Sequence, residues 1–163
     1  MQRGQEAHGA MSEKMMRQHY RGLGLNLLIS AVIMYFVMFT MIYSLAEFFN
    51  NLNMVYMALM MVSPMAILML VMMRSMYANR SLNIALYAGF ALLFVLSFIG
   101  MRTQALVGDR QFLRSMIPHH SGAILMCEGA NIRDAEIKSL CADIIQSQKQ
   151  EIDQMKQILK RRS

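Results

Sequence analysis

The sequence predicts an all-α membrane protein, with three transmembrane helices followed by an amphipathic helical hairpin. Three observations lead there. Of 163 residues, 56% are hydrophobic, with 20 methionines and no tryptophan. No acidic or basic residue falls between Arg21 and Glu47, between Glu47 and Arg74, or between Arg80 and Arg102. Beyond Arg102 the chain turns charged, and its apolar residues recur at a helical period. Each uncharged stretch holds at least 21 residues. At ~1.5 Å rise per residue that suffices for a hydrocarbon core of ~30 Å.

Residues 1–22 read as a polar N-terminal tail. His8, Met11, Met15 and His19 would form one stripe if it were helical, with Met16 beside them. That is either a cytosolic metal-loading site or a mobile, interfacial segment with incidental methionines. The spans are expected at 23–46, 52–73 and 82–101, making 23–101 the transmembrane region. The first apolar run exceeds the 7–15 residues of a signal-peptide core, and Ser44-Leu45-Ala46 is a poor cleavage site, so an uncleaved anchor is expected.

In the second span Met54, Met57, Met61, Met65, Met69, Met72 and Met76 advance by three or four residues, a continuous stripe. Met34, Met38 and Met41 make a shorter one in the first span. A thioether ladder can pass a soft cation by ligand exchange. Methionine is also a flexible filler at helix contacts, and no span contains the ionisable residue that usually marks an ion pathway. Pro64 removes one backbone bond and is expected to kink the second span.

Lysine and arginine in the flanks set the topology. Arg3, Lys14, Arg17 and Arg21 precede the first span, and Arg74 and Arg80 occupy the second loop. The first loop has none. This places the N-terminus and second loop in the cytoplasm and the C-terminal segment outside a cytoplasmic membrane, although Arg102, Arg110 and Arg114 pull the other way. The net charge of +6 then reflects the lipid bilayer as partner. No aromatic-and-basic motif points to nucleic acid.

From 102 to 163 the spacing predicts two helices. Gly108-Asp109 is a break with Asp109 as N-cap, and the long helix is expected to start near Pro118, proline being tolerated in a first turn. Gly129, Asn131 and Asp134 mark a turn and a second cap. Ile137, Leu140, Ile144, Ile145, Ile152, Met155 and Leu159 follow a helical period to about 160. Two helices alone bury little core, so this hairpin is expected to form a homo-oligomeric four-helix bundle or to lie on a partner.

The chemistry is concentrated in Met116-Ile117-Pro118-His119-His120. With Ala123, Met126 and Cys127 these residues recur at i, i+3/4, i+7 and i+10/11, so one helical face carries imidazole, thioether and thiol. Soft sulfur with imidazole suits Cu(I) or Ag(I) better than Mg, Ca or iron. The plainer reading is a core-packing helix with two polar histidines near its start.

Asp109-x-x-Phe112-Leu113-x-x-Met116-Ile117-Pro118-His119-His120, followed by Ala123-Ile124-x-Met126 and by Gln148-x-x-Glu151-Ile152-x-x-Met155, resembles the bacterial domain-of-unknown-function family 305. The resemblance covers about 109–159 and implies a ferritin-like helical fold. Some members bind copper or silver in the periplasm through Met and His. It implies Met116, His119, His120, Met126 and Met155 as ligands, with Glu151 and Gln148 as occasional ligands or as groups that orient imidazole.

Cys127 and Cys141 depart from that pattern, where alanine is expected. They can form a disulfide across the hairpin, add thiolate ligands for Cu(I), Cys127 foremost, or serve as small apolar filler. Di-iron chemistry needs Glu-x-x-His pairs, which the sequence lacks. It also lacks a phosphate loop and a Gly-x-Ser-x-Gly elbow. The expectation is a non-enzyme of the bacterial inner membrane whose outer domain binds Cu(I) or Ag(I) for tolerance or delivery, exchanging metal with an exporter or chaperone. The alternatives are a transport subunit using the Met-lined spans and a metal-independent interaction module.

Overall fold

The computed structural model describes the backbone of Gln2–Arg162 and the side chains from Lys14 to Arg162. His8 and Met11 thus lie outside the described side chains. Five helices follow in order: α1 Gln2–Val37, α2 Leu52–Met72, α3 Arg80–Arg102, α4 Asp109–Gly129 and α5 Ala135–Arg161. Short 3-10 turns at Met38–Met41 and Leu45–Glu47 connect α1 to α2, and the described residues include no strand. The segments Lys14–Met41, Leu52–Met72 and Arg80–Arg102 are long and apolar enough to cross a membrane. The chain divides into two compact units: Met1–Met34 with Tyr56–Gly100, and Tyr35–Val55 with Met101–Ser163.

In the first unit, the expected polar tail is the N-terminal part of α1 and runs without a break into the first span. Its buried cluster joins Leu23 and Leu27 of α1, Val62, Ala66 and Leu70 of α2, and Tyr77. The inward side of α2 is therefore Ala58, Val62, Ala66 and Leu70, a four-residue stripe whose small members let helices approach closely. The methionine stripe is offset from it. Met65 and Met69 reach the cluster, but Met57, Met61, Met72 and Met76 are exposed. Pro64 sits within a continuous α2. The Ser63 hydroxyl donates to the Leu59 carbonyl at 2.7 Å, which satisfies this buried polar group. His19 is engaged as well, its Nδ1 lying 3.2 Å from the Met76 carbonyl.

The second unit is the hairpin together with the loop that links the first two spans. α1 ends at Val37 and its 3-10 extension at Met41, short of the expected 46. The reason is local. Ser44 and Glu47 form a capping box, Ser44 Oγ accepting from the Ala46 amide and Glu47 Oε2 from the Ser44 amide. That turn draws residues 42–51 out of the helix.

α4 also differs from expectation. Gly108 is its N-cap and Asp109 its first helical residue. The Asp109 carboxylate instead accepts from Arg162 at the far end of α5. Pro118 lies inside α4 and does not start it. An interior proline costs about 3 kcal/mol, which is offset here by burying Leu113 and Ile117 before it and Ile124 after it on one continuous face. The second cap is as expected, with Asp134 accepting from the amides of Glu136 and Ile137 at 2.9 and 3.0 Å.

α4 and α5 run antiparallel around Leu113, Ile117, Ile124, Ile152 and Met155. Phe49 of the interspan loop packs on this core, so the loop supplies cover that the hairpin alone lacks.

A candidate metal site on the hairpin

Among the sequence-predicted ligands, His120 is the best placed. It lies on the flank of α4 facing α5, with its side chain 15% exposed and Nδ1 2.9 Å from Glu151 Oε2. The approach is close but is not an aligned hydrogen bond, since this buried nitrogen has no partner in hydrogen-bonding geometry. Burial holds the His120 imidazole below its ordinary 6.5, against the upward pull of Glu151, and His119 adds to the lowering. The ring is therefore neutral at pH 7, the form in which a nitrogen can take a metal. Glu151 thus stands beside Nδ1, on the side of the ring that faces α5.

Met116 stands one helical turn before His120 and packs on the same core that contains Met155. His119 is exposed beside His120, the two rings 6.0 Å apart between centroids. Met116, His120, Glu151 and Met155 thus gather along the α4–α5 seam, and His119 borders it on the solvent side.

Met126 and Cys127 do not join them. Because α4 is continuous through Pro118, Met116 and Met126 are ten residues and so roughly 15 Å apart along the axis. One ion cannot bind both. Met126 is also 56% exposed. Cys127 is bonded to Cys141 with their Cα atoms 5.4 Å apart, so of the three fates open to these cysteines the structure selects the disulfide, and Cys127 has no thiolate to offer. Among the described residues no group of three or more His, Cys, Asp or Glu is placed to hold a metal ion. A site of three or more side-chain ligands here would draw on methionine sulfur.

A second cluster was not anticipated from the sequence. Glu47, 8% exposed, accepts from the Ser121 hydroxyl at 2.5 Å and lies 3.6 Å from Lys156 Nζ. The Tyr43 amide donates to Ser121 Oγ at 2.6 Å. Gly122 is buried beside the same loop, where a Cβ would stand 3.4 Å from the Met41 carbonyl, about van der Waals contact. The available signals were Ser44-x-x-Glu47 and the position of Glu47 as the sole charge between Arg21 and Arg74. Nearby, Lys149 binds Glu128 at 3.1 Å and lies over the Tyr43 ring. Lys149, and then Tyr43, hold the Glu128 carboxyl below its ordinary 4.5.

Ser121→Ala removes the donor to a buried carboxylate. It is expected to destabilise the second unit by about 1–3 kcal/mol, read as a lower midpoint in denaturant unfolding of the detergent-solubilised chain.

Residues 100–159 match the family model described as Domain of unknown function (DUF305). An uncharacterized protein of Acanthamoeba polyphaga mimivirus is 36% identical over 121 residues, covering 73% of this chain and 78% of that protein. No solved structure matches. The chain belongs to the domain-of-unknown-function family 305.

Proposed function

We propose that this member of the family is a membrane-anchored binding protein that captures Cu(I) or Ag(I) as cargo. Met116 and His120 are the primary ligands, His119 the outer one, Met155 a reserve thioether, and Glu151 the group that orients His120. The observation that carries this reading is the neutral, half-buried His120 with Glu151 behind Nδ1 and the Met116 thioether one turn away. Backing Nδ1 with a carboxylate leaves Nε2 for the ion. Methionine beside imidazole favours a soft monovalent cation.

The proposed topology has the N-terminus in the cytoplasm and the hairpin outside. The Cys127–Cys141 disulfide supports an oxidising surrounding for α4 and α5, in line with the basic N-terminal flank. Phe112, Met126, Ile137 and Leu140 are exposed apolar residues on the hairpin. They are suited to a second copy or to a delivery partner such as an exporter or metal chaperone.

The test is anaerobic Cu(I) titration of the full chain in detergent against a chromophoric competitor. The full chain is needed because the interspan loop belongs to the same unit as the hairpin. Wild-type protein should compete for Cu(I), His119→Ala/His120→Ala should not, and Glu151→Ala should bind roughly 10–100-fold more weakly. If folded wild-type protein fails to compete, the metal reading falls and the hairpin is an interaction module.

A further inference from the structure

Among the described side chains outside the hairpin, His19 is the one imidazole. It lies half-buried on α1, its Nδ1 3.2 Å from the backbone carbonyl of Met76. A carbonyl only accepts, so in the neutral ring Nδ1 carries the proton and Nε2 keeps its lone pair. A metal-binding histidine is commonly fixed in just this way, one nitrogen donating to a backbone carbonyl and the other free for the ion. Neighbouring contacts hold the arrangement. The Tyr20 ring packs on the buried Tyr77 ring at 5.2 Å between centroids, and its hydroxyl donates to Asn83 Oδ1 at 2.7 Å. Asn83 Nδ2 donates in turn to the Tyr77 carbonyl at 2.7 Å. The segment Met76–Tyr77 is therefore fixed against α1 independently of His19.

Thioethers flank the free nitrogen. Met15 is four residues before His19 on α1, a spacing that makes the two side chains neighbours on one helical face. Met76 brings its own side chain beside the ring through the carbonyl contact, and the three torsions of methionine give its sulfur reach. Met15 is 53% exposed and Met76 37% exposed, so both sulfurs are open to an incoming ion. Met16, by contrast, lines a cavity with Tyr20, Asn79 and Leu82 and belongs to the other side of α1.

We propose that His19, Met15 and Met76 form a second site for a soft monovalent cation, Cu(I) or Ag(I), with His19 Nε2 and the two thioethers as ligands. Imidazole with neutral sulfur selects such an ion over hard divalent ones. The site shares no residue with the hairpin. Met76 is also the last of the methionine series along α2 and the turn after it, so an ion bound here stands at one end of that stripe.

Ag(I) titration of the full chain in detergent, isotope-labelled at histidine nitrogen and methionine methyl and followed by NMR, tests it. The His19 Nε2, Met15 methyl and Met76 methyl resonances should shift together and saturate at one silver concentration. Met15→Leu and Met76→Leu should each weaken the His19 response by at least about tenfold, the loss that even a group orienting a ligand brings. Both keep the apolar bulk and leave the Met76 carbonyl in place. His19→Ala should abolish the response of the two methionines. Circular dichroism checks that it keeps its helices, and the leucine variants decide alone should it fail to fold. His119→Ala/His120→Ala should leave all three shifts unchanged, so loss of the hairpin site and loss of this one are read separately. A His19 response that survives both leucine changes, or shifts confined to hairpin residues, would overturn the site and leave His19 as a tie between α1 and the turn after α2.

Discussion

Replacing Cys127 and Cys141 together with serine should lower the stability of the hairpin unit by about 3 kcal/mol. The disulfide closes a loop with a sequence separation of 14, and the chain-entropy cost that such a cross-link removes from the unfolded state is of that size. The loop contains the turn 130–134 and the first residues of α5, whose side chains from Ala135 to Leu140 are all exposed. Little hydrophobic burial therefore holds this end of the hairpin, and the covalent bond supplies what packing does not. Denaturant unfolding of the full chain with and without a strong thiol reductant measures it. Reduced wild type and the double-serine chain should show the same lowered midpoint, and an unchanged midpoint would show that the bond contributes nothing. Because Cys127 offers no thiolate, Cu(I) affinity should be the same in oxidised wild type and in the variant.

Ile117→Ala should cost about 2–5 kcal/mol, the range for truncating a buried branched aliphatic side chain and leaving a cavity. Ile117 is fully buried and sits between Met116 and Pro118 at the centre of the α4–α5 core. With Pro118 next to it, α4 has one backbone bond fewer to resist the loss. The expected result is a lowered unfolding midpoint and faster amide exchange in α4 between Leu113 and Ile124. Exchange confined to the ends of α4 would show that the core tolerates the cavity. Because Met116 and Met155 belong to the same cluster, this variant should also weaken Cu(I) binding without removing any ligand.

Much of this architecture was legible in the residues alone. The three uncharged stretches specify three spans because hydrocarbon excludes charge over a fixed thickness, a demand on composition that no tertiary contact has to refine. The period of Ile137, Ile144, Ile152, Met155 and Leu159 likewise specifies α5, and Asp134 its cap, since both signals are local to the chain. Local reasoning failed at Pro118, which looks like a helix start but lies inside α4. It failed again at Asp109, which looks like a cap but pairs with Arg162. Asp109's partner, and the α5 residues that bury Ile117 beside Pro118, are distant in sequence, and a local pattern has no access to them.

The candidate site divides in the same way. The chemistry of the candidate ligands is set by the sequence itself, because imidazole and thioether at helical spacing are properties of the residues present. Which ligands can act together was decided by tertiary structure. A continuous α4 separates Met116 from Met126, and the disulfide withdraws Cys127. The approach of α5 puts Glu151 behind His120. The docking of the interspan loop came from the tertiary level: Glu47 is a lone charge in the sequence, and its burial against Ser121 requires two segments 74 residues apart to meet. Polar partners for a buried carboxylate must come from wherever the fold brings them, so their identity is a property of packing and not of any one stretch of chain.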